Sequence, residues 1–191
     1  MTPFFLVYLF SENPVDKQIA LGIFIVAAIT DWYDGYVARR WGFITRWGKF
    51  LDPLADKILT SAAFISFIYI GYAEAWMVWT IVIRDLLMTG LRGYSEYKGS
   101  TINTSGFAKT KTFFQLIVIY LFLVKYIVST SGELNAQFGW FFEITATPAI
   151  MYLLMLITTL LTAVTGIVYL NSNRNIILGL FKGGEHGTTT D

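Results

Sequence analysis

Apolar stretches separated by short polar turns dominate the pattern of residues along the chain. The stretches lie at about residues 2–10, 18–36, 50–72, 75–91, 112–129 and 144–170. The turns at 11–14, 71–74, 98–100 and 131–133 carry Gly, Pro, Ser or acidic residues, which interrupt regular structure. No alternation with a period of two residues suggests strands, and helices satisfy their own backbone in lipid. The pattern therefore predicts an all-α integral membrane protein with six transmembrane helices.

The first stretch, residues 2–10, is shorter than the other five. A helix needs about 20 residues to cross a bilayer. No basic residues precede this stretch and no small-residue cleavage site follows it, so a signal peptide is not expected. Either the first helix is tilted or truncated, or the protein begins further upstream.

The composition agrees with a membrane location. Hydrophobic residues make up 55% of the 191 residues and charged residues only 14%, against about 25% charged in soluble domains. The net charge of +1 argues against a nucleic-acid partner. There is no cysteine, and the one histidine, His186, lies near the end of the chain. Thiolate and imidazole metal sites are therefore not expected.

The basic residues divide unequally between the two sides of a six-helix topology. One side holds Lys17 and Lys125, and Arg84 lies inside a span. The other side collects the remaining basic residues: Arg39, Arg40, Arg46, Lys49, Lys57, Arg92, Lys98, Lys109, Lys111, Arg174 and Lys182. Positive residues favour the cytoplasmic side, so both termini are expected there. We expect a membrane domain over residues 1–182 and a flexible tail over 183–191.

Four aspartates lie where the second stretch ends and the third begins. Asp31 and Asp34 are three residues apart, and Asp52 and Asp56 are four apart. On helices, both spacings place a pair on one face. A short connection makes the two helices antiparallel neighbours, so the carboxylates can converge at the membrane surface. Carboxylate oxygens suit Mg²⁺, Mn²⁺ or Ca²⁺, and two such ions can clamp a phosphoryl transfer.

Small and basic residues accompany the aspartates. Gly35, Ala38 and Gly48 allow a flat group to approach the two helix backbones, and Arg39 is placed to bind a phosphate. Two other interpretations compete with a phosphate site. The acids could be solvated groups at helix ends, or they could line an ion or proton path. Paths usually place acids near mid-bilayer, whereas these cluster at one interface beside arginines.

The segment Asp31-x2-Asp34-Gly35-x2-Ala38-Arg39-x8-Gly48-x3-Asp52-x3-Asp56 resembles the complete signature of the CDP-alcohol phosphotransferases. The resemblance is strongest to the bacterial phosphatidylglycerophosphate synthase branch. It extends to Ile83-Arg84-Asp85, Gly90-Leu91-Arg92, Lys109-Thr110-Lys111-Thr112 and Gln115, and is weak after about residue 116. The branch usually has Arg-Glu where this chain has Arg84-Asp85. It also carries an amphipathic N-terminal stretch that is missing here.

The resemblance implies a fold, a site and a reaction. The fold would be a homodimer with six membrane helices in the inner (cytoplasmic) membrane, with its pocket facing the cytoplasm. Two Mg²⁺ or Mn²⁺ ions would be held by Asp31, Asp34, Asp52 and Asp56, and Asp56 would also be the general base. The CDP group would contact the residues of the signature: Asp31, Asp34, Gly35, Ala38, Arg39, Gly48 and Asp52. The expected reaction transfers a phosphatidyl group from CDP-diacylglycerol to sn-glycerol 3-phosphate, giving phosphatidylglycerophosphate and CMP.

The acceptor is the open part of this hypothesis. A phosphate-bearing acceptor needs cations that the nucleotide does not use, and Arg84, Arg92, Lys109 and Lys111 are the candidates. Arg84 lies in an apolar stretch, where a cation requires a partner. That partner is either a phosphate or an acid on another helix, since neighbours such as Asp85 are expected to point apart. Phosphatidylglycerol, inositol phosphate and serine are the alternative acceptors, and a transporter or an inactive relative is the alternative to an enzyme.

Overall fold

The computed structural model describes residues 1–41, 46–97, 106–174 and 176–177, without the side chains of residues 31, 32, 34–41, 46–56, 96, 97 and 106–109. All regular structure in these ranges is helical: α1 (Thr2–Leu9), α2 (Pro14–Trp41), α3 (Arg46–Ile70), α4 (Ala75–Tyr97), α5 (Gly106–Thr130), α6 (Gly132–Thr145) and α7 (Pro148–Ser172). The prediction of an all-α fold is confirmed for this part of the chain. The expected flexible tail, residues 183–191, lies outside the described residues.

The sixth apolar stretch was predicted incorrectly at its start. The prediction begins that helix at about residue 144, but residues 132–145 form a separate helix, α6. The longer helix α7 begins at Pro148, and the Thr147 hydroxyl caps it by accepting a hydrogen bond from the Ile150 amide at 3.3 Å. A proline at the first helical position and a capping threonine are a strong start signal. Apolar residues on both sides of this signal hid the break.

Two helical segments are long and apolar enough to cross a membrane, among the residues that the structure describes. They are Thr110–Thr130 of α5 and Pro148–Ser172 of α7. Large hydrophobic side chains remain exposed along α7, including Leu153, Leu160 and Ile167 at 53%, 56% and 68%. A helix that is apolar on its outer face as well as its inner one is typical of contact with lipid. The six predicted spans are not confirmed by this criterion.

The turn between α3 and α4 shows how the chain reverses direction. Gly71 has a φ of +80°, a conformation that glycine adopts without steric cost. The Tyr72 amide donates to the Phe67 carbonyl at 2.8 Å, and the Gly71 amide donates to the Ile68 carbonyl at 3.1 Å. These two bonds form a Schellman motif, which satisfies the last carbonyls of α3. The reversal lets α4 pack against α3.

Aromatic side chains join the helices in the core. Phe24 of α2 lies with its ring centroid 5.4 Å from those of Phe5 in α1 and Tyr120 in α5. Phe67 of α3 lies 5.2 Å from Phe122 of α5. Phe5, Phe24, Phe67 and Phe122 are all fully buried. The helix α5 therefore packs against both α2 and α3, while α7 packs against α4 and α5.

One contact fixes which helix ends lie together. The Lys17 ammonium near the start of α2 lies 5.1 Å from the ring centroid of Tyr126, near the end of α5. The start of α5 therefore lies toward the opposite end of the bundle, where α2 ends and α3 begins. The signature aspartates and the start of α5 thus belong to the same end of the fold.

Candidate active site

The signature lies on helical backbone in α2 and α3. Asp31 and Asp34 fall in the last three turns of α2, and Asp52 and Asp56 fall in the first three turns of α3. Each pair of aspartates therefore lies on one helix, as the spacing in the sequence predicts. The helices α2 and α3 are in contact. The side chains of the eight signature residues, Asp31, Asp34, Gly35, Ala38, Arg39, Gly48, Asp52 and Asp56, lie outside the described residues. Their convergence and their roles stay predictions.

A buried carboxylate forms the centre of the polar cluster that the structure does describe. Asp85 of α4 is only 5% exposed. Its Oδ1 accepts a hydrogen bond from the Lys111 ammonium of α5, a residue that is 3% exposed. Its Oδ2 accepts from the Gln115 amide at 3.3 Å and lies 3.9 Å from the Lys57 ammonium of α3. Asp85 thus connects three helices through charged and polar contacts.

Arg84 joins the same cluster from the next position of α4. Its Nη1 donates to Asp85 Oδ1 at 3.0 Å, and its Nη2 donates to the Thr165 hydroxyl of α7 at 3.1 Å. The expectation that Arg84 and Asp85 point apart was wrong. Their Cβ atoms diverge on the helix, but the arginine side chain is long enough to fold back, and Thr165 holds its far end. The Arg84 cation, which lies in an apolar stretch, thus has an acid as its partner, as an apolar environment requires.

Two of the four residues predicted to bind the acceptor phosphate lie together in the structure. Arg84 and Lys111 both contact Asp85, so the fold brings these two together. Lys111 lies buried in the second turn of α5, because this helix begins at Gly106, ahead of the predicted start near residue 112. Arg92 is partly exposed and makes no ion pair or hydrogen bond with the described residues. The side chain of Lys109 lies outside the described residues.

The sequence interpretation did not predict the contacts that form this cluster. Lys57 was named only among the basic residues of the cytoplasmic side, yet it directly follows Asp56 and lies close to Asp85. Asp85 and Gln115 entered only through the family resemblance, although one acid among several cations in apolar stretches could have indicated a shared partner. Thr165 and its neighbour Gly166 gave no signal, because they lie among ordinary membrane residues.

The cluster has a surplus of positive charge over the described residues. Lys57, Arg84 and Lys111 surround the single carboxylate Asp85. No group of three or more His, Cys, Asp or Glu side chains suited to a metal ion occurs where side chains are described. The cations of this cluster are thus suited to an anion, and the carboxylates that were predicted to bind metal lie outside the described side chains.

A family model for CDP-alcohol phosphatidyltransferases matches residues 1–169, which is most of the chain. The chain belongs to the CDP-alcohol phosphatidyltransferase family. This membership and the two long apolar helices indicate a membrane protein. Members of the family generally depend on divalent metal ions.

Several bacterial proteins of this family resemble the chain over 111 to 125 residues. All three of the following are named CDP-diacylglycerol–glycerol-3-phosphate 3-phosphatidyltransferase. The Bacillus subtilis protein is 42% identical over 111 residues, which is 58% of this chain and 58% of the relative. The Mycoplasma pneumoniae protein is 36% identical over 121 residues, 62% of this chain and 53% of the relative. The Escherichia coli K12 protein is 34% identical over 125 residues, which is 62% of this chain and 68% of the relative. The chain thus spans little more than half of the first two relatives.

Proposed function

We propose that this member of the family transfers a phosphatidyl group from CDP-diacylglycerol to sn-glycerol 3-phosphate, giving phosphatidylglycerophosphate and CMP. The observation that carries the proposal is that the cations of Arg84 and Lys111 meet at one carboxylate, Asp85, among the described side chains. The signature accounts for the CDP-lipid, and the cations of Arg84 and Lys111 account for a phosphate on the acceptor. The names of the three relatives agree with this pair of substrates.

The protein would act in the cytoplasmic membrane as a homodimer with six spans and a cytoplasmic pocket. Two helical segments already meet the length and composition of a span. The chain has no cysteine and a single histidine near its end, so the four carboxylates of α2 and α3 would provide a donor set of oxygen atoms. Such a set suits two Mg²⁺ or Mn²⁺ ions, held by Asp31, Asp34, Asp52 and Asp56. The ions would supply neutralisation of the pyrophosphate charge.

Other residues of the signature would bind the CDP group, and Asp56 would also transfer a proton. Gly35, Ala38 and Gly48 let the cytidine and pyrophosphate approach the backbone, and Arg39 binds a phosphate oxygen. Asp56 accepts the proton of the acceptor's primary hydroxyl. The hydroxyl oxygen forms a bond to the β-phosphorus, the bond from that phosphorus to the CMP oxygen breaks, and CMP leaves with the electron pair.

The reaction is tested by CMP release from the purified full-length protein in detergent. The assay contains CDP-diacylglycerol, Mg²⁺ or Mn²⁺, and one acceptor at a time. We expect release with glycerol 3-phosphate. Release only with phosphatidylglycerol, inositol phosphate or serine would keep the chemistry and replace the acceptor. No release with any acceptor would contradict an enzymatic role and favour a transporter or an inactive relative.

Arg84→Ala is expected to weaken use of the acceptor selectively. The loss of a charged hydrogen bond to phosphate should raise the KM for glycerol 3-phosphate by about tenfold or more, with the KM for the lipid changed by less than about threefold. Lys125→Ala, a cation at the opposite end of α5, serves as the control and should change neither value. Equal increases in both KM values for Arg84→Ala would contradict a role in acceptor binding.

A further inference from the structure

The position of Arg84 depends on α7, a helix that contains no residue of the signature. The Thr165 hydroxyl accepts from Arg84 Nη2 at 3.1 Å. The same hydroxyl lies 2.7 Å from the Leu161 carbonyl and 3.0 Å from the Thr162 carbonyl of its own helix. Because a hydroxyl has one proton, donation into the helix turns a lone pair of the oxygen outward. Thr165 is thereby fixed as an acceptor for the guanidinium.

Gly166 provides the space in which the arginine side chain lies. A Cβ atom at this position would be 3.1 Å from Arg84 Cγ and 3.2 Å from Arg84 Nε. Both distances are shorter than ordinary van der Waals contacts, so a Cβ atom here would require Arg84 to move by a few tenths of an ångström. Arg84 Nε is buried and has no hydrogen-bond partner among the described residues. The guanidinium therefore packs against the backbone of α7 at Gly166, and its Nε donor is without a described partner.

The two ends of the guanidinium are held by different helices. Asp85 on α4 binds Nη1, and Thr165 on α7 binds Nη2. Arg84 is 17% exposed at its side chain. The direction of the Arg84 guanidinium is therefore fixed before a ligand binds, while part of the side chain remains accessible. Fixing an arginine before the ligand arrives lowers the entropy lost on binding.

We propose that Thr165 and Gly166 form a positioning site that directs Arg84 toward the phosphate of the acceptor. The inference deepens the proposed function and rests on it. Helix α7 thus contributes to acceptor selection without contacting the substrate. Thr165 and Gly166 are positioning residues, and Arg84 is the group that meets the anion.

Thr165→Val tests the hydroxyl. Valine keeps the shape of threonine and removes the acceptor for Nη2, so the KM for glycerol 3-phosphate should rise about tenfold while the KM for CDP-diacylglycerol stays within about twofold. Thr165→Ser restores the hydroxyl and should restore the KM. Thr158→Val is the matched control, because this buried threonine of α7 donates to the Leu154 carbonyl of its own helix and contacts no cation among the described residues. A rise shared by both substrates, or a rise of the same size in Thr158→Val, would overturn the proposal.

Gly166→Ala tests the space. The added methyl group should displace Arg84 and raise the KM for glycerol 3-phosphate several-fold, again with the lipid KM unchanged. Gly22→Ala provides the control, since a Cβ there meets nothing within 4 Å. An unchanged acceptor KM in Gly166→Ala would show that Arg84 does not need this position.

A binding measurement separates failure of this inference from failure of the proposed function. Thermal unfolding of the detergent-solubilised protein is followed with and without glycerol 3-phosphate and, separately, inorganic phosphate. Stabilisation by these anions should be present in the wild type and reduced in Arg84→Ala, Thr165→Val and Gly166→Ala. Equal stabilisation in all four proteins overturns the positioning role even if CMP is released. Absence of CMP release with normal, Arg84-dependent stabilisation overturns the reaction alone.

Discussion

Replacing Asp56 with asparagine is expected to lower the rate of CMP release about a thousandfold. General-base catalysis contributes about a hundredfold to ten-thousandfold, and the same substitution removes one of the proposed metal-binding carboxylates. Asparagine keeps the size of the side chain, and a loss of activity would therefore report on charge and proton transfer. The measurement is kcat for the purified protein with both substrates saturating.

The matched control is Asp16→Asn on the other end of α2. Asp16 accepts a hydrogen bond from the Ser11 hydroxyl at 2.6 Å, far along the helix from Asp31 and Asp34. This variant should retain nearly full activity. An Asp56→Asn protein with more than a tenth of wild-type kcat would remove Asp56 from the role of base.

Folding and metal binding can be separated in the Asp56 variant. Carboxylates that converge without a cation repel one another, so removing one charge should leave the metal-free protein at least as stable as the wild type. The additional stability conferred by Mg²⁺ or Mn²⁺ should decrease in the variant. An unchanged response to both metals would mean that Asp56 is not a ligand.

The long helices could be predicted from the sequence because their signals are local. An apolar stretch of about 20 residues next to a turn defines a helix without reference to its neighbours. The helices α3, α4 and α5 were therefore expected close to where they lie. The helix α6 was not, since it is apolar like the spans beside it and is separated from α7 only by Ala146 and Thr147. Helix α2 also continues to Trp41, beyond the predicted end near residue 36.

In the candidate site, too, features within one helix could be predicted, and contacts between helices could not. The aspartate spacing is a property of single helices, so the sequence alone suggests the reaction class. The Asp85 cluster is a property of packing between four helices, and no spacing predicts it. A rule about neighbouring helical residues gave the wrong result for Arg84, because it describes Cβ directions and not the reach of a long side chain. Thr165 became informative only after Arg84 was placed beside it.

Asp85→Ala is expected to destabilise the protein by about 3–5 kcal/mol, the usual cost of removing one partner from a buried ion pair. Lys111 would stay buried at 3% exposure without its carboxylate, next to the cation of Arg84. The measurement is the free energy of unfolding from a denaturant titration in detergent micelles. Asp85→Glu keeps the charge and should lose far less. Glu143→Gln, at an exposed position of α6, should be close to wild type.

A second substitution distinguishes loss of charge balance from loss of packing. In Asp85→Ala/Lys111→Met the buried cation is removed together with its partner, so part of the lost stability should return. We expect a coupling free energy of at least about 1 kcal/mol between the two positions, as for other residues in direct contact. Additive losses would show that Asp85 acts only by filling space. Because the double variant lacks both Lys111, a proposed acceptor-binding cation, and the carboxylate that holds Arg84, it should regain stability and still use glycerol 3-phosphate poorly.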